Sequence, residues 1–524
     1  MTSDTDWAKR ALIYQVYVRS FADSDGDGLG DLAGVRSRLD HIAALGADAI
    51  WLTPFYPSPM VDGGYDVADY RDVDPRLGTL ADFDALLSAA HDCGIRVITD
   101  IVPNHTSHQH PWFRQALTAR PGSSARARYI FRPGRGPDSV EPPNNWQSVF
   151  GGPAWTRLPD GDWYLHLFAP EQPDLNWDST EVRAEFVDVL RFWLDRGVDG
   201  IRVDVAHGLV KPAGLPDATV AGVSGNRPYF DQDGVHEIYR EWRKVLDSYA
   251  PTRIMVAEAR LRDTVRTARY VRPDEMDQAF NFEFLWAPWS LERIRDAISR
   301  SLTAMNHVGR SPTWVIGNHD EIRVASRLAA DVRSSAVGLR RARAMALLSL
   351  ALPGSAYIYQ GDELGLPQAP DLAPEFHEDP KRRRSAEPRA SRDECRIPMP
   401  WHGDRPPFGF GPDDSTTPWL PQPEAWARLT VAAQQHDPDS TLTMYQQATR
   451  LRQTDSDLTG DDFAWKPAPS GVLAFTRGQR FTCAVNFGPT AVPLDQLNLP
   501  ENPLLCSTPI DDDALPANAA IWSR

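Results

Sequence analysis

The sequence is short of cysteine. Four stand among 524 residues, at positions 93, 395, 483 and 506, and none is spaced as CxxC. A disulfide framework or a zinc site requires clustered thiols, so neither is expected; a single bond between Cys483 and Cys506 is the one pairing left open. Long apolar runs are also missing: nothing approaches the roughly 20 residues of a membrane-crossing helix, and the segment MTSDTDWAKR carries no apolar signal core. These absences lead to the expectation of a soluble protein in a reducing cytoplasm. Positive charge is outnumbered, with 55 Lys and Arg against 71 Asp and Glu for a net −16. That balance argues against the broad basic face by which nucleic acids and anionic membranes are bound. The run KRRR at 381–384 is too short and isolated to reverse it, and reads as a solvated loop.

What the chain does have is apolar material and rhythm. Hydrophobic residues make up 42%, with 17 Trp, enough for a large core and for flat surfaces against sugar rings. Eight strand-like runs end in polar residues, at 13–19, 48–54, 96–103, 198–204, 253–258, 279–284, 313–318 and 355–360. Between them apolar residues recur every three or four positions, as in LAGVRSRLDHIAALG, LADFDALLSAAHDCG, EVRAEFVDVLRFWLDRG and RRARAMALLSLALPG. Several of these helical patterns close on the Gly that a helix C-terminus favours. Eight alternating βα units predict an α/β fold, a closed parallel (β/α)8 TIM barrel. The stretch 106–175, rich in Pro, Gly, Arg and Trp, is too long for a structureless loop and is read as an inserted subdomain after the third strand. A second insertion, 367–437, follows the eighth strand and is expected to rim the barrel. From 455 to 524 short alternating runs such as VLAFTRG and RFTCAVNFG predict an antiparallel β domain, which leaves 1–105 and 176–454 for the barrel.

Barrel enzymes present their reacting groups at the C-terminal ends of strands. Four blocks lie at such ends here: DIVPNH at 100–105, GIRVDVAH at 200–207, VAEA at 256–259 and NHD at 318–320. They carry Asp204, Glu258 and Asp320. Cleaving an acetal needs one carboxylate at the anomeric carbon and one protonated carboxyl at the leaving oxygen, and a spacing of about 5 Å gives retention. Arg202, two residues before Asp204, is expected to hold that aspartate ionised by opposite charge. Glu258 follows the apolar run IMVA, where desolvation is expected to keep its proton available.

In order and separation these blocks resemble the signature regions of the α-amylase family of glycoside hydrolases. The resemblance implies that Asp204 is the nucleophile, Glu258 the acid/base, and Asp320 the carboxylate that binds ring hydroxyls and stabilises the distorted transition state. It makes His105 and His319 a pair that hydrogen-bonds the same sugar, and leaves Asp100 and Asn104 either bracing the barrel mouth or touching substrate. In GGYDVADY, Tyr65 resembles the tyrosine that stacks on the terminal sugar, and Asp66 the aspartate that binds its outermost hydroxyls. RIPMPW resembles the RTPMQW element of α-glucosidases acting at oligosaccharide ends, whose arginine pairs with that aspartate. Arg396 and Asp66 are therefore expected to close the pocket. QPDLN at 172–176 is similar to the oligo-1,6-glucosidase and trehalose synthase branch, where Phe150 and Phe168 match sugar-facing aromatics; both residues suit plain core equally well.

Where amylases of this family carry a Lys-His pair beyond the nucleophile, this chain has His207 and Gly208, which favours a short aglycone over a long polymer. Val205 resembles the residue of α-1,6-acting members, while short α-1,4-linked substrates stay within the reading. Together these features imply a retaining exo-acting α-glucosidase that hydrolyses the terminal non-reducing α-glucosyl residue of short oligosaccharides or α-glucosides. A transglucosylase or isomerase, such as a trehalose or isomaltulose synthase, is the alternative. A noncatalytic amylase-like scaffold is the remote one, disfavoured because all three carboxylates are kept.

Near the start, FADSDGDGLGDL places Asp23, Asp25, Asp27, the Leu29 carbonyl and Asp31 at alternating positions, with Gly28 at the turn. This is the ligand spacing of the first nine positions of a calcium-binding loop. Gly34 stands where the closing Glu would be, so the loop is not a full EF-hand. Related glucosidases carry a similar loop with bound calcium or magnesium, and a structural Ca2+ or Mg2+ is expected.

Overall fold

Eight short parallel strands, not the long runs of the sequence reading, form the centre of the computed structural model, which describes residues 6–219, 227–329, 335–369, 372–385, 391–499, 503–510 and 513–524. They are β1 (Leu12–Val16), β2 (Ala49–Leu52), β3 (Arg96–Ile101), β4 (Gly200–Val203), β5 (Ile254–Ala257), β6 (Gln278–Ala279), β7 (Thr313–Val315) and β8 (Ser355–Tyr359). They pair in the order β7-β8-β1-β2-β3-β4-β5-β6, and a parallel bridge between Phe280 and Thr313 joins the two ends into a barrel. Alternation decides which side chains fill it. Ile13, Trp51, Ile98, Val256, Val315 and Tyr357 form the interior cluster, while Leu12, Tyr14, Ile50, Leu52 and Val97 belong to the larger core under the surrounding helices.

The sixth strand departs most from expectation. Only Gln278 and Ala279 are extended, and Phe282–Leu285 is a helical turn. The cause is local: the Asn281 side chain accepts from the Phe284 N–H and caps a helix that the aromatic run alone does not announce. The helix over 32–46 also divides, into Leu32–Ser37 and Leu39–Ala44. The helix Leu80–Asp92 starts in a reciprocal Thr79–Asp82 capping box and is followed by Gly94 at φ +75°.

Between β3 and β4 the chain builds a three-stranded sheet from Phe131–Pro133, Trp155–Arg157 and Asp162–Leu165, over a satellite core that includes Ile130, Trp146, Trp155 and Leu167. Bridges from His105 to Asp174 and from Tyr129 to Leu175 fasten it beside the barrel mouth. At the C-terminus, Ala464–Lys466, Val472–Arg477, Phe481–Asn486, Ala520–Ser523 and Leu505–Cys506 make a five-stranded antiparallel sheet. Trp522 of this sheet donates to the Leu347 carbonyl of helix Ser335–Ala351, which docks the sheet on the barrel's outer layer. All four cysteines are unpaired. Cys483 pairs in register with Trp522 and Cys506 with Ile521, so the two thiols leave opposite faces of the sheet and do not meet. Among the described residues, no helix is long and apolar enough to cross a membrane.

Candidate active site

The C-terminal ends of β3, β4 and β5 converge on one buried guanidinium. Arg202 of β4 places Nη1 at 2.6 Å from Asp204 Oδ1 and at 2.9 and 3.0 Å from the two Asp100 oxygens; its Nη2 lies 3.2 Å from Glu258 Oε2. Three carboxylates thus surround a single positive charge. Burial pushes the Asp204 carboxyl well up, and Arg202 only partly opposes this. The expected counter-charge is in place, and desolvation and two further carboxylates around the same guanidinium work against it. Burial likewise pushes Asp100 up to about 7, against the pull of Arg202. Asp100 also accepts from Tyr65 Oη at 3.0 Å and Trp51 Nε1 at 3.2 Å, which makes it a brace beneath the site.

Val205 follows Asp204 with φ +45°, a left-handed conformation that a β-branched residue rarely adopts. The turn delivers the Val205 N–H to Glu258 Oε2 at 3.0 Å. The Val205 hydrogen bond and the Arg202 ion pair therefore both use Oε2, and Oε1 has Arg260 Nη1 at 3.7 Å.

Asp320 sits in the opposite electrostatic setting. Its Oδ1 receives Arg396 Nη2 at 2.8 Å and Arg392 Nη1 at 3.2 Å, and Oδ2 lies 3.7 Å from Arg260. Burial works against ionisation, yet this cationic surround holds the carboxyl well below its ordinary range. His319 is kept neutral by burial, bonded through Nδ1 to Gln15 at 2.6 Å and stacked against Tyr65 with centroids 5.2 Å apart and planes within 4°. Burial lowers His105 to about 4; its Nε2 donates to the Tyr65 carbonyl at 3.0 Å.

The expected pairing of Arg396 with Asp66 does not form. Asp66 is fully buried and turned back into its own loop, accepting from Ser58 Oγ at 2.9 Å and from the Val61 and Asp62 N–H groups at 2.9 and 3.0 Å. Gly63 and Gly64, at φ +59° and +103°, make this reversal; a Cβ at Gly63 would stand 2.6 Å from Tyr17 Oη. Asp62 faces the cavity instead, and its partner is Arg392 at 2.6 Å. Arg392 also holds Asp379 at 2.7 Å and lies 4.9 Å from the Phe150 ring centroid, closing that end of the pocket.

The enclosed space is about 760 Å³. Its lining includes Asp62, Arg392, Phe150, Phe168 and His105, which contact one another in sequence, and also Tyr65, Val205, His207, Phe230, Arg260, Leu261 and Trp286. Of the expected site residues, Asp204, Glu258, Asp320, Tyr65, His105, Phe150 and Phe168 reach the cavity. Arg202, His319, Arg396 and Asp66 do not line it. Residues 15–461 match the family described as alpha amylase, catalytic domain. The chain belongs to the alpha-amylase catalytic-domain family. It is 37% identical over 555 residues to a probable alpha-glucosidase of Rhizobium meliloti (strain 1021), covering 99% of this chain and 97% of the relative. It is 35% identical to an oligo-1,6-glucosidase of Parageobacillus thermoglucosidasius, over 85% and 83% of the two chains. Its fold matches the crystal structure of an alpha-glucosyl transfer enzyme at a TM-score of 0.87 and 34% identity, with 99% of each chain covered.

Within this alpha-amylase-family site, the sequence reading missed Asp62, Arg392, Arg260 and Trp286. The first two stand four residues before Asp66 and Arg396, in the same two motifs, and it is they that pair and line the cavity. Arg260 had a usable signal, two residues past Glu258 on the segment leaving β5. The aspartate loop at the start of the chain lies outside the cavity. Carboxylate oxygens of Asp23, Asp25 and Asp27 come within 4.8 Å of one another. Asp31 turns elsewhere: it caps helix Leu32–Ser37 through the Gly34 N–H at 2.6 Å and accepts from the Ser24 N–H at 2.7 Å. Leu29 donates its N–H to Asp27 at 2.8 Å. Gly28, at φ +92°, lets the loop pass so close to the Thr417 carbonyl that a Cβ would stand 2.3 Å from it.

Proposed function

We propose that this chain is a retaining, exo-acting α-glucosidase that removes the terminal non-reducing α-glucosyl unit of short oligosaccharides or α-glucosides. It is a glycoside hydrolase in which Asp204 attacks the anomeric carbon, Glu258 protonates the departing oxygen, and Asp320 accepts from ring hydroxyls. The observation that carries the exo reading is the Asp62–Arg392 ion pair beside Phe150, a charged wall at one end of the cavity that suits the end of a sugar chain. Asp204 and Glu258 occupy adjacent nitrogens of the same guanidinium, which suits the short separation of retaining enzymes, about 5–5.5 Å.

Three carboxylates around one arginine cannot all ionise cheaply in a buried site, so the cluster retains a proton near neutrality. Glu258 Oε2 accepts the Val205 N–H at 3.0 Å and lies 3.2 Å from Arg202 Nη2, which leaves Oε1 as the oxygen that passes a proton to the leaving group. Once it is given up, Glu258 is the base that takes a proton from water as the glucosyl–Asp204 ester is hydrolysed. The low pKa of Asp320 keeps it an acceptor throughout.

The relatives named alpha-glucosidase and oligo-1,6-glucosidase support this reading. A second reading, glucosyl transfer to another sugar, is favoured by the match to the alpha-glucosyl transfer enzyme and by Phe230 and Trp286 in the cavity lining, aromatic faces that suit an acceptor ring. With maltose, isomaltose, sucrose and trehalose as substrates, free glucose is the expected main product, released first as the α-anomer by NMR. Glucose as a minor product, or β-anomer first, contradicts the hydrolase or the retaining assignment respectively.

A structural divalent cation on Asp23, Asp25 and Asp27 is part of the same proposal, supported by the convergence of three carboxylates. Asp31 contributes through the helix cap and not as a direct ligand. Bound there, the ion neutralises the acidic turn that packs on Thr417. Chelation is expected to lower Tm by a few degrees and added Ca2+ or Mg2+ to restore it, since binding at 100-fold over Kd stabilises by about 2.7 kcal/mol. An unchanged melting curve contradicts the site. A cytoplasmic location also belongs to the proposal, supported by the four unpaired cysteines.

A further inference from the structure

Resting on the α-glucosidase reading, we propose that Arg260 selects the leaving group by donating from Nη1 to a hydroxyl on the aglycone carbon next to the glycosidic oxygen. Sugars linked through a ring carbon flanked by a free hydroxyl, as in an α-1,4 bond, meet this donor. An α-1,6 bond does not, because the carbon next to its exocyclic C6 is C5, which carries the ring oxygen in place of a hydroxyl.

The two cavity carboxylates Asp320 and Glu258 place Arg260 on the outlet side of the reacting bond. Asp320 turns Oδ1 to Arg396 and Arg392, and the same Arg392 holds Asp62 at 2.6 Å, so this oxygen faces the end that takes the terminal glucose. Its other oxygen, Oδ2, lies 3.7 Å from Arg260 Nη1. Glu258 is divided in the same way: Oε2 is engaged by the Val205 N–H and Arg202, and Oε1 lies 3.7 Å from the same Nη1. Arg260 therefore meets both acids on the oxygens turned away from their internal partners.

The guanidinium is held for this task. Its Nη2 pairs with Glu321 Oε1, which also accepts from Trp286 Nε1 at 3.1 Å, and its central carbon lies 5.0 Å from the Phe282 ring centroid and 5.5 Å from that of Trp286. One edge is thus fixed by a charge-assisted bond and two aromatic faces, and the other is directed at the acids. At 3.7 Å the contacts of Nη1 attract both carboxylates but are too long to be hydrogen bonds, and a hydroxyl between them can accept from Nη1. Glu258 Oε1 must reach the glycosidic oxygen to protonate it, and a hydroxyl on the adjoining carbon arrives beside it. A buried donor placed for a substrate hydroxyl discriminates against substrates that lack one.

The test is the ratio of kcat/KM for maltose to that for isomaltose on the full-length enzyme. It is expected to be about tenfold or more in the wild type and to fall toward one in Arg260→Ala. A maltose analogue lacking the 3-hydroxyl of its reducing glucose is expected to show a kcat/KM about tenfold below that of maltose in the wild type, and a value equal to that of maltose in Arg260→Ala, since the same bond is not lost twice. A wild-type ratio of one or below, or an analogue cleaved as well as maltose, overturns the proposal whether or not the variant folds, while p-nitrophenyl α-glucoside hydrolysis still upholds the parent reading. A ratio unmoved in an Arg260→Ala protein that melts like the wild type overturns it too. An equal loss on maltose and on α-glucosyl fluoride, which has no aglycone hydroxyl, places Arg260 on the glucosyl unit and likewise overturns it. Absence of hydrolysis on every substrate by the wild type defeats the parent reading and this proposal together.

Discussion

Asp204→Ala is expected to lower glucose release by roughly 10⁴-fold or more while the protein remains folded. The side chain is the cavity-facing carboxylate at the end of β4, held 2.6 Å from Arg202, and no neighbour can replace it. Asp100 lies beneath the arginine, tied to Tyr65 and Trp51, and Glu258 is fixed by the Val205 N–H. Removing one of three crowded carboxylates relieves repulsion around Arg202, so Tm at pH 7 is expected to hold or rise. Turnover of p-nitrophenyl α-glucoside within tenfold of wild type would remove Asp204 from the nucleophile role. An unfolded variant would instead show that the cluster needs all three acids.

Arg202→Leu is expected to have the largest effect on stability, a loss of about 3–5 kcal/mol at neutral pH, because it strands buried carboxylates without their counter-charge. The sign with pH follows from Asp100, whose pKa in the fold is pushed up to about 7 by burial. A carboxyl raised above its unfolded value of about 4 binds its proton more tightly in the folded state. Its contribution is therefore fully present below about pH 4 and is lost as pH climbs through about 7. Without Arg202 the folded value rises further and the losses extend to higher pH. Denaturant unfolding at pH 5 and pH 8 is expected to show the variant closest to wild type at pH 5. Equal destabilisation at both values would mean that packing, not charge, is what Arg202 supplies.

Much of this was legible in the chain. The barrel strands are apolar runs with polar ends, and strand residues alternate by necessity between the interior and the helices, so Ile13, Trp51 and Ile98 fall inside without any long-range information. The acids sit where those runs end, which is why Asp204, Glu258 and Asp320 could be singled out as residues of the cavity. The two-residue sixth strand was not legible, because the Asn281 cap competes with an aromatic run whose β character is stronger on paper. The crowding around Arg202 was not legible for a related reason. Sequence places Arg202 beside Asp204, but it does not show that Asp100 and Glu258 share the same guanidinium.

The sequence by itself determined the architecture and the carboxylates at the strand ends, since periodicity and strand ends are properties of neighbouring residues. Tertiary structure decided which aspartate of VDGGYD faces the cavity and which arginine of RDECR meets it. Two positive-φ glycines turn Asp66 into the loop and Asp62 into the cavity, where Arg392 arrives from 330 residues along the chain. Such a contact depends on how the rim folds over the barrel mouth, and that is settled by packing between distant segments, not by the residues on either side of the motif.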